Sequence, residues 1–171
     1  MVDLGCGPGV STFELAATLP TAQVVGIDIA PRMLAQARRR QGQAHVTWVL
    51  GDASNLPFGD ASVAACAGHS FLYLVTDRAA ALREAHRVLR PGGQLVLMEP
   101  SAHGASPAQV VRVSRDPRHL FSVSLWRPFS RVHGRFTPAL LAETVEAAGF
   151  VDAEVEETLG GLGLIVRAIR P

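Results

Sequence analysis

A chain of 171 residues with 48% hydrophobic content is long enough to bury one real core and too apolar to be disordered. Its formal net charge of +1 argues against a general nucleic-acid binder, and no apolar run approaches the length of a membrane span. No basic-then-apolar leader opens the chain, and its two cysteines, Cys6 and Cys66, form no C-x-x-C; a thiol-reducing cytoplasm is the expected setting.

In chain order, residues 1–4 read as the end of an apolar strand feeding the turn Gly5-Cys6-Gly7-Pro8-Gly9, and 10–19 as a helix. Gly5, Gly7 and Gly9 admit backbone conformations that a Cβ forbids, so a ligand can approach the main chain closely. Residues 24–29 form a second short apolar strand, as expected where both sheet faces are covered. Pro31 takes a first-turn position of a helix running through Met33, Leu34 and Ala37 to a stop at Gly42. A third strand at 45–50 ends in Gly51-Asp52, and an alanine-rich fourth covers 61–66. Thr76 or Asp77 caps a helix reaching Leu89, with Leu82, Ala85, His86 and Leu89 on one side. Pro91-Gly92-Gly93 breaks it before a fifth strand at 94–98. Thr137-Pro138 opens a late helix closed by Gly149. Residues 150–169 read as a hairpin turning near Gly160-Gly161, whose first arm alternates Val151, Ala153 and Val155 with Asp152, Glu154 and Glu156. Alternating strands and helices predict a single α/β domain over 1–171 with a parallel sheet.

Charge is unevenly spread. Between 101 and 136 lie Arg112, Arg115, Arg118, Arg127, Arg131 and Arg135 against Asp116 alone, whereas 143–157 carries Glu143, Glu146, Asp152, Glu154, Glu156 and Glu157. Two solvated faces that partly neutralise each other explain this, and so does an arginine-rich segment that receives an anionic substrate group.

Ligands of open α/β sheets bind beyond the carboxyl ends of the strands, where strand order reverses. The glycine loop, Asp28, Asp52 and His69-Ser70 all fall at such ends. A carboxylate at Asp28 accepts two hydrogen bonds from a ribose diol; Asp52, followed by Ala53, is placed for an adenine amine; Asp3, under the loop, reaches an ammonium directly or through water. Turn and cap roles before Pro31 and Ser54 are the competing account of Asp28 and Asp52. The G-x-G-x-G spacing differs from the dinucleotide G-x-G-x-x-G by placing its third glycine one position early, which weakens a nicotinamide reading.

The run Val2-Asp3-Leu4-Gly5-Cys6-Gly7-Pro8-Gly9 resembles motif I of class I S-adenosylmethionine-dependent methyltransferases. Gly51-Asp52-Ala53-Ser54-Asn55-Leu56-Pro57-Phe58 and Arg87-Val88-Leu89-Arg90-Pro91-Gly92-Gly93 are similar to the "GDA..LPF" and "RVLKPGG" segments of the small-molecule, ubiquinone/menaquinone-biosynthesis (type 11) branch. The resemblance implies a Rossmann-like seven-stranded sheet, mostly parallel with an antiparallel last strand and helices on both faces. It further implies methyl transfer from S-adenosylmethionine to a small molecule, with Asp3, Gly5, Gly7, Gly9, Asp28, Ile29, Asp52 and Ala53 at the cofactor and His69 on the catalytic face. Ala67-Gly68-His69-Ser70 stands where amine methylases of nucleobases carry N/D-P-P-Y/F, which argues against that chemistry. The family has several dozen residues before motif I, so the expectation is a truncated product, or a homodimer or partner chain that supplies the cover. No nucleic-acid or membrane partner is expected.

His69 is the best-placed general base, with His103 second. A wall-lining or backbone-bonding histidine is the competing account. Phe71, Leu72 and Tyr73 read as helix or loop packing, with an apolar pocket wall as the competing account, whereas Trp126 and Phe129 serve equally as substrate cap or as core. Cys6 has no base or metal partner nearby and no metal site is read. A truncated, non-catalytic nucleotide-fold module acting through association is the alternative to the enzyme.

Overall fold

The computed structural model describes residues 1–40, 45–103 and 128–171. Five strands, β1 (Val2–Leu4), β2 (Val24–Asp28), β3 (Val46–Leu50), β4 (Val63–His69) and β5 (Leu89–Pro100), pair in parallel. A closing hairpin follows, in which β7 (Gly163–Ile169) runs antiparallel to both β5 and β6 (Val151–Thr158). The order across the sheet is β3-β2-β1-β4-β5-β7-β6. This is the seven-stranded, mostly parallel arrangement that the family resemblance implied. Helices α1 (Val10–Thr18), α2 (Pro31–Arg39), α3 (Arg78–Val88) and α4 (Pro138–Glu146) accompany it, and residues 128–133 are helical as well. The chain steps from β1 through α1 and α2 toward β3, and from β4 through α3 the opposite way to β5. Right-handed crossovers therefore put α1 and α2 on one face and α3 on the other.

Local chemistry explains these boundaries. Pro31 opens α2 where its missing N–H costs nothing. The Asp77 carboxylate accepts from the Ala80 N–H (2.8 Å) and the Thr137 hydroxyl from the Leu140 N–H (3.2 Å), capping α3 and α4. Ala81, Leu82, Ala85 and Val88 recur as one buried stripe of α3. Leu4, Leu95, Leu97, Leu164 and Val166 on the strands join them with Phe71, Leu72 and Phe136 in the main core.

Three boundaries differ from expectation. β4 spans 63–69 rather than 61–66, because Ala61 is left-handed (φ 51°) and cannot extend, whereas Ala67, Gly68 and His69 find partners in Val96, Leu97 and Met98. β5 begins at Leu89, not at residue 94. Gly92 N–H donates to the Arg170 carbonyl (2.8 Å) and the Gly93 carbonyl accepts from Arg170 N–H (2.9 Å), so the Pro-Gly-Gly turn is itself paired. Ile29 lies just past β2 and is 68% exposed. Gly42, Arg112, Arg115, Asp116, Arg118, Trp126 and Arg127 lie outside the described residues. Phe129 is half exposed and stacks on His133, with ring centroids 4.4 Å apart, so it is not a core residue. On the acidic arm, Glu156 pairs with Arg167 (2.8 Å) and Glu157 with His103 (3.3 Å). No helix among the described residues is long and apolar enough to cross a membrane.

Candidate active site

β1 lies between β2 and β4, and the chain leaves these neighbours in opposite directions, which makes the carboxyl end of β1 the switch point of the sheet. The glycine loop sits there. Gly5, Gly7 and Gly9 all take positive φ (63°, 54° and 82°), but for different neighbours. A Cβ on Gly5 would lie 2.7 Å from the Phe71 ring, and one on Gly9 2.5 Å from the Trp48 ring; nothing lies within 4 Å of one on Gly7. Of the three, only Gly7 has open space where a Cβ would stand. Gly5 and Gly9 seat the loop on aromatic rings, and Gly9, the N-cap of α1, does not line the cleft at all.

That cleft encloses about 1450 Å³ and is bordered by Asp3, Gly5, Gly7, Asp28, Ile29, Asp52, Ala53 and His69. Its volume exceeds that of ordinary small-molecule pockets, ~300–1,000 Å³. Asp3 is 1% exposed. Its Oδ2 accepts from the hydroxyls of Ser11 (2.9 Å) and Thr12 (2.6 Å), while Oδ1 is buried with no hydrogen-bond partner. Burial raises the Asp3 pKa, and the two hydroxyls oppose that rise. A buried carboxylate oxygen left unpaired is costly, and a cationic donor would relieve it.

Asp28 uses both oxygens to hold backbone: Oδ2 accepts from Gly7 N–H and Oδ1 from Ala30 N–H, each at 2.8 Å. Each oxygen keeps a lone pair, so the turn role leaves acceptor capacity open toward the cleft. Asp52 is exposed and accepts from Ser54 N–H (2.8 Å) through Oδ1 in a tight turn closed by Asn55 N–H to the Asp52 carbonyl (3.0 Å). A clamp from α3 fixes the next residues. Glu84 Oε2 accepts from Leu56 N–H (2.8 Å), and Arg87 donates to the carbonyls of Leu56 (3.1 Å) and Phe58 (2.9 Å) while forking onto Glu84 (2.6 and 2.7 Å).

The sequence model of the family described as "Methyltransferase domain" matches residues 2–97. A demethylmenaquinone methyltransferase of Mycolicibacterium gilvum is 34% identical over the whole of this chain and 76% of its own length. The chain belongs to the methyltransferase domain family. An uncharacterized 37.1 kDa protein in transposon TN4556 of Streptomyces fradiae is 48% identical over 58% of this chain, which spans 29% of that protein. Among solved structures, a SAM-dependent methyltransferase from Aquifex aeolicus shares the fold with a TM-score of 0.77 at 17% identity, over 99% of this chain and 81% of that one. The family match sets aside the nicotinamide alternative.

In this methyltransferase domain His69 ends β4 and opens onto the cleft. His69 is exposed to the cleft, and partial desolvation there lowers its pKa, which favours the neutral imidazole near pH 7. His103 does not border the cleft among the described residues and pairs with Glu157 instead. Leu72 and Tyr73 are core; Phe71 is core and cleft floor at once. Cys6 and Cys66 are buried, free thiols pushed up to about 12 by burial, which removes any nucleophilic role near neutral pH. No cluster of three or more His, Cys, Asp or Glu among the described residues is arranged to hold a metal. Ser70, expected beside His69 at the end of β4, has a positive φ (52°) and a buried, unpartnered hydroxyl. Glu99, an acid with no exposure at the end of β5, escaped the sequence reading; its one signal was a carboxylate closing the apolar run Leu95-Val96-Leu97-Met98.

Proposed function

We propose that this domain binds S-adenosylmethionine in the cleft and transfers its methyl group to a small-molecule acceptor by in-line displacement. The observation that carries the reading is Asp3: a buried carboxylate oxygen without a partner, bordering a cleft beside a glycine loop. The methionyl ammonium is the donor this oxygen lacks, and the bare Gly7 backbone and the free lone pairs of Asp28 suit the ribose end. When bound, S-adenosylmethionine supplies an electrophilic sulfonium methyl, so the protein's task is chiefly alignment, which is worth roughly 7–11 kcal/mol of barrier. Asp52 and Ala53 border the adenine end on a turn held by the Glu84–Arg87 clamp. Neutral His69 accepts a proton from the acceptor when that group needs one, a contribution of roughly 10²- to 10⁴-fold.

The Mycolicibacterium relative is named for methylation of demethylmenaquinone, and the rim here, with Val10 (51%), Ile29 (68%) and Leu74 (47%) exposed, supports an apolar acceptor. The arginines of 101–136 that favoured an anionic acceptor fall mainly outside the described residues. The same apolar rim favours a second reading, a non-catalytic module in which a second copy or a partner chain covers the cleft.

Calorimetric titration with S-adenosylhomocysteine, repeated on Asp28→Ala, separates the two. Saturable one-site binding that Asp28→Ala weakens supports the enzyme. A folded chain that does not bind, and that light scattering shows to be dimeric, supports the module.

A further inference from the structure

Four consecutive N–H groups after β4 are fastened to the end of β5. Ser70 N–H donates to the Met98 carbonyl (2.7 Å). Phe71 and Leu72 N–H both donate to Glu99 Oε1 (3.1 and 2.7 Å), and Tyr73 N–H donates to Oε2 (3.2 Å). The proposed chemistry assigns Glu99 no part, yet it is a carboxylate with no exposure, which a protein core tolerates only where its oxygens are satisfied. Here one side chain satisfies three main-chain donors some 26 to 28 residues away in sequence. Phe71, Leu72 and Tyr73 are all buried, so deleting Glu99 takes this acceptor from their N–H groups where bulk water does not reach.

What the turn carries gives this staple its meaning. It begins with His69 and with Ser70, which holds a left-handed conformation (φ 52°) that a side chain resists and that the surroundings must enforce. It continues into Phe71, whose ring occupies the space that a Cβ on Gly5 (2.7 Å) or on Gly68 (2.9 Å) would claim. Phe71 is thus wedged between the glycine loop after β1 and the last turn of β4. A shift of the turn moves the proton-accepting face and the seat of the glycine loop together.

We propose that Glu99 is a positioning residue that locks the turn after β4, setting the His69–Ser70 face directly and the glycine loop through Phe71. The inference rests on the cofactor reading above for its functional meaning.

Two variants and two measurements test it. Glu99→Leu deletes the acceptor at similar volume; Glu99→Gln keeps one carbonyl for Phe71 and Leu72 but turns an amide donor toward Tyr73 N–H. S-adenosylhomocysteine affinity is measured by calorimetry and the His69 ring resonances by NMR, with cooperative thermal unfolding as the check that each variant folds. The expected result is affinity weaker by about tenfold or more in Glu99→Leu and about threefold in Glu99→Gln, with the His69 resonances displaced in both. A lowered melting temperature with His69 resonances and affinity as in wild type makes Glu99 a core residue only and overturns the proposal. If Glu99→Leu does not fold, Glu99→Gln decides by the same criteria. If wild-type protein does not bind S-adenosylhomocysteine, the cofactor reading fails by itself; displaced His69 resonances still support the lock, and unmoved ones overturn it.

Discussion

Alanine placed at each of the three loop glycines should separate structural from ligand-facing roles. All three residues adopt positive φ, so a Cβ costs roughly 1–2 kcal/mol of backbone strain at each. At Gly9 the new methyl would also meet the Trp48 ring at 2.5 Å and the Ala37 Cβ at 3.1 Å. At Gly5 it would meet the Phe71 Cβ at 2.8 Å, an atom close to the backbone that cannot swing away. Overpacking of this kind adds roughly 1–3 kcal/mol, for a total of about 2–5 kcal/mol at Gly5 and Gly9. Gly7→Ala meets no protein atom and should lose only the ~1–2 kcal/mol of strain, while its methyl occupies cleft space that a ligand needs. Against a typical domain stability of ~5–15 kcal/mol, the first two losses are large and the third modest. Urea unfolding midpoints at constant slope, paired with S-adenosylhomocysteine titration of each folded variant, read out both quantities. Gly7→Ala should keep most of its stability and lose about tenfold or more in affinity. Equal stability losses at all three positions, or undiminished binding by Gly7→Ala, would refute the division of labour argued from the neighbours.

Further outcomes follow from the same geometry. Asp3→Asn should fold, because the Ser11 and Thr12 hydroxyls can reorient around an amide, yet bind S-adenosylhomocysteine roughly 10- to 100-fold more weakly, the worth of a hydrogen bond to a charged group. In wild type, an ammonium ligand favours the ionised carboxyl whose pKa burial has raised; calorimetric affinity should therefore be full above that raised value and fall as pH is lowered through it, a slope absent in Asp3→Asn. Arg87→Ala orphans the carbonyls of Leu56 and Phe58 and leaves Glu84 only the Leu56 N–H, for a loss of about 2–3 kcal/mol in chemical denaturation, with exposed Asp60 adding little. Arg87→Lys should recover only part of it, since an ammonium cannot fork onto Glu84 and reach both carbonyls.

The sheet was legible because its signals are local. Short apolar runs of β2 and β3, Pro31 at a helix start, Asp77 and Thr137 at caps, and the Gly160-Gly161 turn each act through their own neighbours in sequence. The switch-point residues were legible because parallel strands deliver their carboxyl ends to one edge. What escaped depends on contacts distant in sequence. That a Cβ on Gly9 would meet Trp48, and one on Gly5 would meet Phe71, is visible only once β3 and the turn after β4 are in place. The early start of β5 at Leu89 needed Arg170 on the far side of the Pro-Gly-Gly turn. Glu99 gave no hint of its three donors, since they lie 26 to 28 residues away.

The insertion of β7 between β5 and β6 has a consequence for how the polypeptide is made. As synthesis proceeds, β1 through β5 can assemble as soon as residue 100 is available, but one edge of β5 stays open until residues 163–169 have been polymerised and threaded beside it. At roughly 5–20 residues per second that interval lasts about 3–13 s. Throughout it, a nascent chain carries unpaired backbone next to Leu95 and Leu97, side chains with no exposure in the finished sheet. Such an edge is a template for another chain to pair with, so aggregation during expression should be governed by the time the ribosome takes over residues 101–162 and by chaperone occupancy in that window.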